Sequence, residues 1–131
     1  MFRVFVEDSK YPDRVTHPTG YGEVHRQLIF GLDRLGVDVF FPECESQIAS
    51  TRLLGDETKQ RLLRLNRRRC PNDRHTVYLQ AASPDSFRRR SGRFNVGLTM
   101  TERESLEYYR QRFEKIVEVV EERYARWLNA P

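Results

Sequence analysis

The stretch from Phe2 to Phe41 limits the possible folds more than any other part of this chain. Phe2-Arg3-Val4-Phe5-Val6 is an alternating run rich in β-branched and aromatic side chains, the pattern of a strand. Glu7 to Gly20 carries Pro12, Pro18 and several turn formers, so the strand opens into a long loop. Loops of that length inside compact domains tend to be functional. From Tyr21 to Leu35 the apolar residues Val24, Leu28, Ile29, Leu32 and Leu35 recur at helical spacing on one side. Gly36 then takes the position just past a helix where glycine is favoured. Val37, Val39, Phe40 and Phe41 form a second short strand, stopped by Pro42. Strand, loop, helix, glycine, strand is a βαβ unit, which implies a parallel sheet with a right-handed crossover.

The remainder extends that architecture. Glu43 to Thr51 is polar and without period and reads as loop, and Asp56 suits the N-cap of a helix from Glu57 to Arg69. Thr76 to Gln80 and Phe94 to Met100 supply a third and a fourth strand. Between them lies the turn-rich Ala82-Ser83-Pro84-Asp85, with room for one helical turn. Glu102 to Leu128 is one long helix whose stripe of Leu106, Tyr109, Phe113, Ile116, Val120, Tyr124 and Trp127 steps by three and four residues. A single stripe of this kind belongs in the chain's own core more often than in a coiled coil. The expected fold is α/β: one Rossmann-like three-layer domain over residues 1–131, with a mainly parallel sheet of about four strands and a long C-terminal helix.

Composition removes several function classes. With 131 residues, 38% apolar and 32% charged, the chain suffices for one core, and no apolar run approaches the ~20 residues of a membrane span. The start is too short and too soon acidic for a signal peptide, so a cytoplasmic protein is expected, with peripheral membrane attachment as a variant. Cys44 and Cys70 lack zinc or redox spacing and read as buried or idle thiols. His17, His25 and His75 are scattered, so neither a metal nor any cofactor is expected, and His25 reads as an exposed helix-surface residue. The net charge of +4 is concentrated in two arginine groups, Arg61, Arg64, Arg67, Arg68 and Arg69, and Arg88, Arg89, Arg90 and Arg93. Both read first as solvated surface, and second as a face for phosphate, a membrane or nucleic acid.

Gly20-Tyr21-Gly22 stands where a parallel α/β sheet does its binding, between the end of the first strand and the start of the first helix. Unpaired helix amides favour an anion there, and glycine admits close approach of a phosphate or hydroxyl. His25 occupies the third position of a Gly-x-Gly-x-x-Gly pattern and no Gly-Lys-Ser/Thr follows, which disfavours a dinucleotide site and a P-loop. Ser83 and Ser86 flank Pro84-Asp85 without a nucleophile elbow.

Three stretches, TGYGEVHRQLIFGLDRLGVDVFF, VYLQAASPDSF and FNVGLTMTERESL, occur in an order that resembles the N-terminal, acceptor-side domain of GT-B glycosyltransferases of the retaining, group-4-like kind. The likeness covers about Phe2 to Leu106. It implies sugar transfer from a nucleotide-sugar donor to a glycan or other acceptor, in a cleft between two Rossmann-like domains. By the same resemblance Gly20, Tyr21 and Gly22 approach donor phosphate or acceptor, and Pro84, Asp85 and Glu102 line the acceptor side; no catalytic residue is assigned. The family's donor-binding domain has no room in this chain, so isolated activity is not expected, and a fragment or a split enzyme with a donor-domain partner chain fits. Glu114 and Glu122 share the spacing of the family's paired glutamates, but a glutamate-rich helix accounts for them. The alternative from another class is a small basic α/β module recognising nucleic acid or a protein partner through the arginine groups and the last helix.

Overall fold

A computed structural model describes residues 3–18, 20–66, 69–99 and 106–130, with side chains of the last helix described from 111 onward. Four strands, β1 (Arg3–Glu7), β2 (Asp38–Phe40), β3 (Thr76–Ala81) and β4 (Phe94–Leu98), form one sheet in the order β2-β1-β3-β4. Every pairing is parallel: Val4 lies opposite Val39 and Val77, and Leu79 opposite Val96. Helices α1 (Tyr21–Arg34), α2 (Glu45–Ser50), α3 (Asp56–Asn66) and α4 (Leu106–Leu128) flank the sheet, giving an α/β Rossmann-like fold with a long C-terminal helix.

Alternation along the strands sorts the two faces. Val4, Val6, Val77 and Leu79 point to one side and are almost fully buried against Leu28, Ile29 and Leu32 of α1 and Phe113 and Val120 of α4. The stripe foreseen on the last helix therefore packs in cis, with Ile116, Val117, Trp127 and Leu128 completing the contact. Leu106 and Tyr109 of that stripe lie outside the described side chains. Phe5, Glu7, Tyr78, Gln80 and Asn95 occupy the other face. Over Phe5 and Tyr78 that face is covered by Arg90, whose guanidinium sits 4.5 Å above the Tyr78 ring and pairs with Glu7 at 2.8 Å.

The α1–α4 crossing is close because position 31 has no side chain. A Cβ on Gly31 would lie 2.7 Å from Cε1 of the Phe113 ring, well inside contact distance. Gly31→Ala is therefore expected to lower stability by about 2 kcal/mol, as overpacking does, despite alanine's better helix propensity. Thermal melting checks this, and Phe113→Leu in the same chain is expected to recover part of the loss.

Several boundaries differ from the sequence reading. Glu43 to Thr51 contains α2, held by the fully buried Ile48; six helical residues are too few to print a period. Asp56 is the first residue of α3 rather than its cap, and the Gly55 carbonyl accepts the Lys59 amide. α3 is described as far as Asn66, and Arg69, the residue at which the sequence pattern ends the helix, is not helical; the Asn66 side chain accepts the Cys44 amide at 3.0 Å and donates to the Pro42 carbonyl. β4 ends at Leu98, two residues before Met100, which like Glu102 lies outside the described residues.

Candidate functional site

The strand order reverses direction between β1 and β3, since the chain leaves β1 toward β2 and leaves β3 toward β4. In open parallel sheets the crevice outside the strand ends at such a point is where ligands bind. Here the segments leaving β1, β3 and β4 and the first turn of α1 all meet at that end.

The loop after β1 is built from the inside. Asp8 has a side chain with no exposure, and its carboxylate accepts the Lys10 and Tyr11 amides at 2.9 and 3.3 Å and Arg14 Nε at 2.9 Å. These bonds fold the chain back immediately after the strand. Arg14 Nη1 in turn donates to His17 Nδ1 at 3.2 Å, and its guanidinium lies 4.2 Å over the Tyr11 ring. Arg26 of α1 reaches the same loop and donates to the carbonyls of Val15, His17 and Pro18. One buried guanidinium thus satisfies three loop carbonyls, and its desolvation pulls its pKa down.

Gly20 and Gly22 have different reasons for being glycine. Gly20 has φ 61° and ψ −132°, a conformation open mainly to glycine, and the space beside its Cα is empty. Gly22 is packed face to face with the loop, and a Cβ there would lie 2.6 Å from His17 Cβ and 2.8 Å from its carbonyl carbon. Close approach of its own loop therefore accounts for Gly22.

Three hydrogen bonds tie the mouth together. Tyr21 Oη lies 3.2 Å from Thr99 Oγ1, joining the start of α1 to the end of β4. Ser9 donates to the Ser86 carbonyl, joining the exit of β1 to the turn Pro84–Ser86. His25 Nε2 donates to the Ala81 carbonyl at 2.7 Å, joining α1 to the end of β3. Gly20, Tyr21, Gly22, Pro84, Asp85 and Thr99 accordingly share one end of the sheet, with Pro84 and Asp85 exposed.

His25 corrects the expectation of an exposed residue. It is 2% exposed, and burial drives its pKa down from 6.5 to about 4, so the imidazole is neutral. A neutral ring whose Nε2 faces a carbonyl must carry its proton there, leaving Nδ1 as the acceptor nitrogen. The signal was present in the sequence, because His25 falls between Val24 and Leu28 in the apolar stripe. Asp8, Arg14 and Arg26 carry no comparable signal; a polar residue after a strand or within an amphipathic helix is ordinarily solvated.

Of the arginine groups, Arg90 and Arg93 turn back onto the domain, Arg93 donating to the Asn72 carbonyl at 3.2 Å. Arg61 stacks 3.9 Å over Phe30, and Arg69 approaches Glu43, while Arg64, Arg88 and Arg89 are exposed. The Cys44 thiol is buried, which raises its pKa to about 11 and makes it a poor nucleophile. Among the described residues no three His, Cys, Asp or Glu side chains are grouped to hold a metal ion, and no helix is long and apolar enough to cross a membrane.

No protein-family model matches the chain, and no curated protein or solved structure matches it. The site is therefore read from its own chemistry.

Proposed function

We propose that the chain is the acceptor-side domain of a GT-B glycosyltransferase, contributing one wall of a sugar-transfer cleft that a donor-binding domain completes. The observation that carries this reading is the meeting of Gly20-Tyr21-Gly22, Pro84-Asp85 and Thr99 at the carboxyl ends of β1, β3 and β4, the strand ends where parallel sheets bind ligands. The groups there suit a polyhydroxylated acceptor. The exposed Asp85 carboxylate accepts hydrogen bonds from hydroxyls, and the hydroxyls of Ser83 and Tyr21 both donate and accept. Transfer needs acceptor hydroxyl and departing nucleotide clamped together, so one wall binds without turning over.

The nucleic-acid form of the basic-module alternative gains little from the geometry, because Arg61, Arg90 and Arg93 are engaged with this chain's own groups.

The test is a titration followed by amide NMR shifts, with free monosaccharides, sugar phosphates and nucleotide sugars as separate ligands. Sugar or sugar-phosphate is expected to shift Gly20, Tyr21, Gly22, Ser83, Asp85 and Thr99 together. Shifts confined to other parts of the chain, or none with any of the three ligand classes, overturn the proposal.

A further inference from the structure

β4 is the edge of the sheet and, among the described residues, is paired on one side only. Two grooves run along it. One, about 550 Å³, is bounded by Phe94 to Leu98 and by one stripe of α4, Arg112, Lys115, Ile116, Val119, Val120 and Arg123. The other, about 480 Å³, is lined by β4 and by Gln80, Phe87, Arg88, Arg89 and Arg93, and reaches round to Trp127 of α4. The strand itself is unfinished: Phe94, Val96 and Leu98 face the core side, yet stay only half-buried where their neighbours Val77, Leu79 and Ala81 are buried.

We infer that the free edge of β4 takes an extended, alternating aliphatic–acidic segment of a partner protein as a fifth strand. The groove is long enough for a strand, since the eleven steps from Arg112 to Arg123 rise about 16 Å and the four from Phe94 to Leu98 span about 13 Å. Alternation places every second side chain of an added strand over Ile116, Val119 and Val120, where the floor is aliphatic. The intervening side chains fall on the face of Arg88 and Arg89. Among the described residues lining the two grooves there are arginines on both sides of β4, with Arg88 and Arg89 exposed, but no Asp or Glu, so carboxylates complement them. Charge also decides against other occupants. A second copy would bring basic groove against basic groove. A single-stranded nucleic acid wants stacking faces, but the α4 floor is aliphatic, and Phe94 and Trp127 already pack with each other and with Tyr124. The inference does not rest on the sugar-transfer reading.

The probe is the peptide acetyl-Glu-Val-Glu-Val-Glu-Val-Glu-amide, compared with the same peptide carrying lysine for glutamate and with a twelve-nucleotide oligothymidylate, all against the full chain. The acidic peptide is expected to bind at least ~10-fold more tightly than the lysine peptide and to slow amide exchange across Phe94 to Leu98. Arg88→Glu with Arg89→Glu, at two exposed positions, is expected to weaken it by a similar factor. Val119→Asp is expected to weaken both peptides while leaving thermal stability near that of the parent chain. Equal affinity for the two peptides, no binding of the acidic one, tighter binding of the oligonucleotide along β4, or unchanged exchange at β4 would each overturn the proposal.

Discussion

Gly22→Ala is expected to cost the folded state about 3 kcal/mol, near the upper end of overpacking penalties. In an exposed helical position the same change gains up to ~1 kcal/mol from propensity, so the sign of the effect is itself diagnostic. The penalty is large here because the obstruction is mostly backbone: His17 presents its carbonyl group, and beside it Cβ, to the missing side chain. That carbonyl is also an acceptor for Arg26, so it cannot swing aside without unpairing a buried guanidinium. For a chain of this size the thermal midpoint should fall by roughly 10 °C. Urea unfolding of the two chains measures the difference, and an unchanged or raised midpoint would show that the loop does not press on α1 as described. Because Tyr21 is next in the chain, ligand shifts at Tyr21 and Thr99 in the Gly22→Ala protein should weaken together with stability.

How far the fold could be read from sequence depended on whether burial leaves a period. α1 and α4 were visible because each lays one regular stripe against the sheet, Val24 to Leu32 in one and Phe113 to Trp127 in the other. The strands were visible because β-branched and aromatic runs were bounded by turn formers. α2 was not, since its only fully buried residue is Ile48 and the rest of its six residues are polar or small. The role of Asn66 was hidden for a related reason: it looks like any polar helix residue until its amide is seen bridging Cys44 and Pro42.

The site divides in the same way. Glycines and Ser-Pro-Asp mark turns by their own conformational preferences, so their place at the strand ends followed from the βαβ pattern. What fixes the mouth is long-range and polar. Ser9 meets Ser86, and Tyr21 meets Thr99, across more than seventy residues of chain, and no local pattern encodes such pairs. Asp8 is the clearest case: a carboxylate after a strand is ordinarily solvated, and only the loop closing over it turns it into the buried acceptor for Arg14.

The remaining large effect is on acidification, and it centres on His25. In the unfolded chain its imidazole titrates near 6.5, and in the fold burial holds it to about 4. Between those values the unfolded state carries a proton that the folded state lacks, so stability falls as pH drops through that window. Above 6.5 the contribution is fully present; below about 4 both states are protonated and no more is lost. The difference amounts to about 3 kcal/mol at the acid end, at 1.36 kcal/mol per pKa unit. Carboxylates titrate in part of the same range, so the measurement is a comparison of two chains. His25→Gln keeps an amide donor for the Ala81 carbonyl but cannot titrate. The parent chain's thermal midpoint is expected to fall more steeply from pH 7 to pH 4.5 than that of His25→Gln. Parallel profiles would mean that the ring is not buried neutral against β3. The Nε2 bond to Ala81 survives protonation at Nδ1, so what loosens the end of β3 at low pH is the cost of burying the imidazolium, and faster amide exchange at Ala81 to Ser83 as the pH falls toward 4 is the local readout.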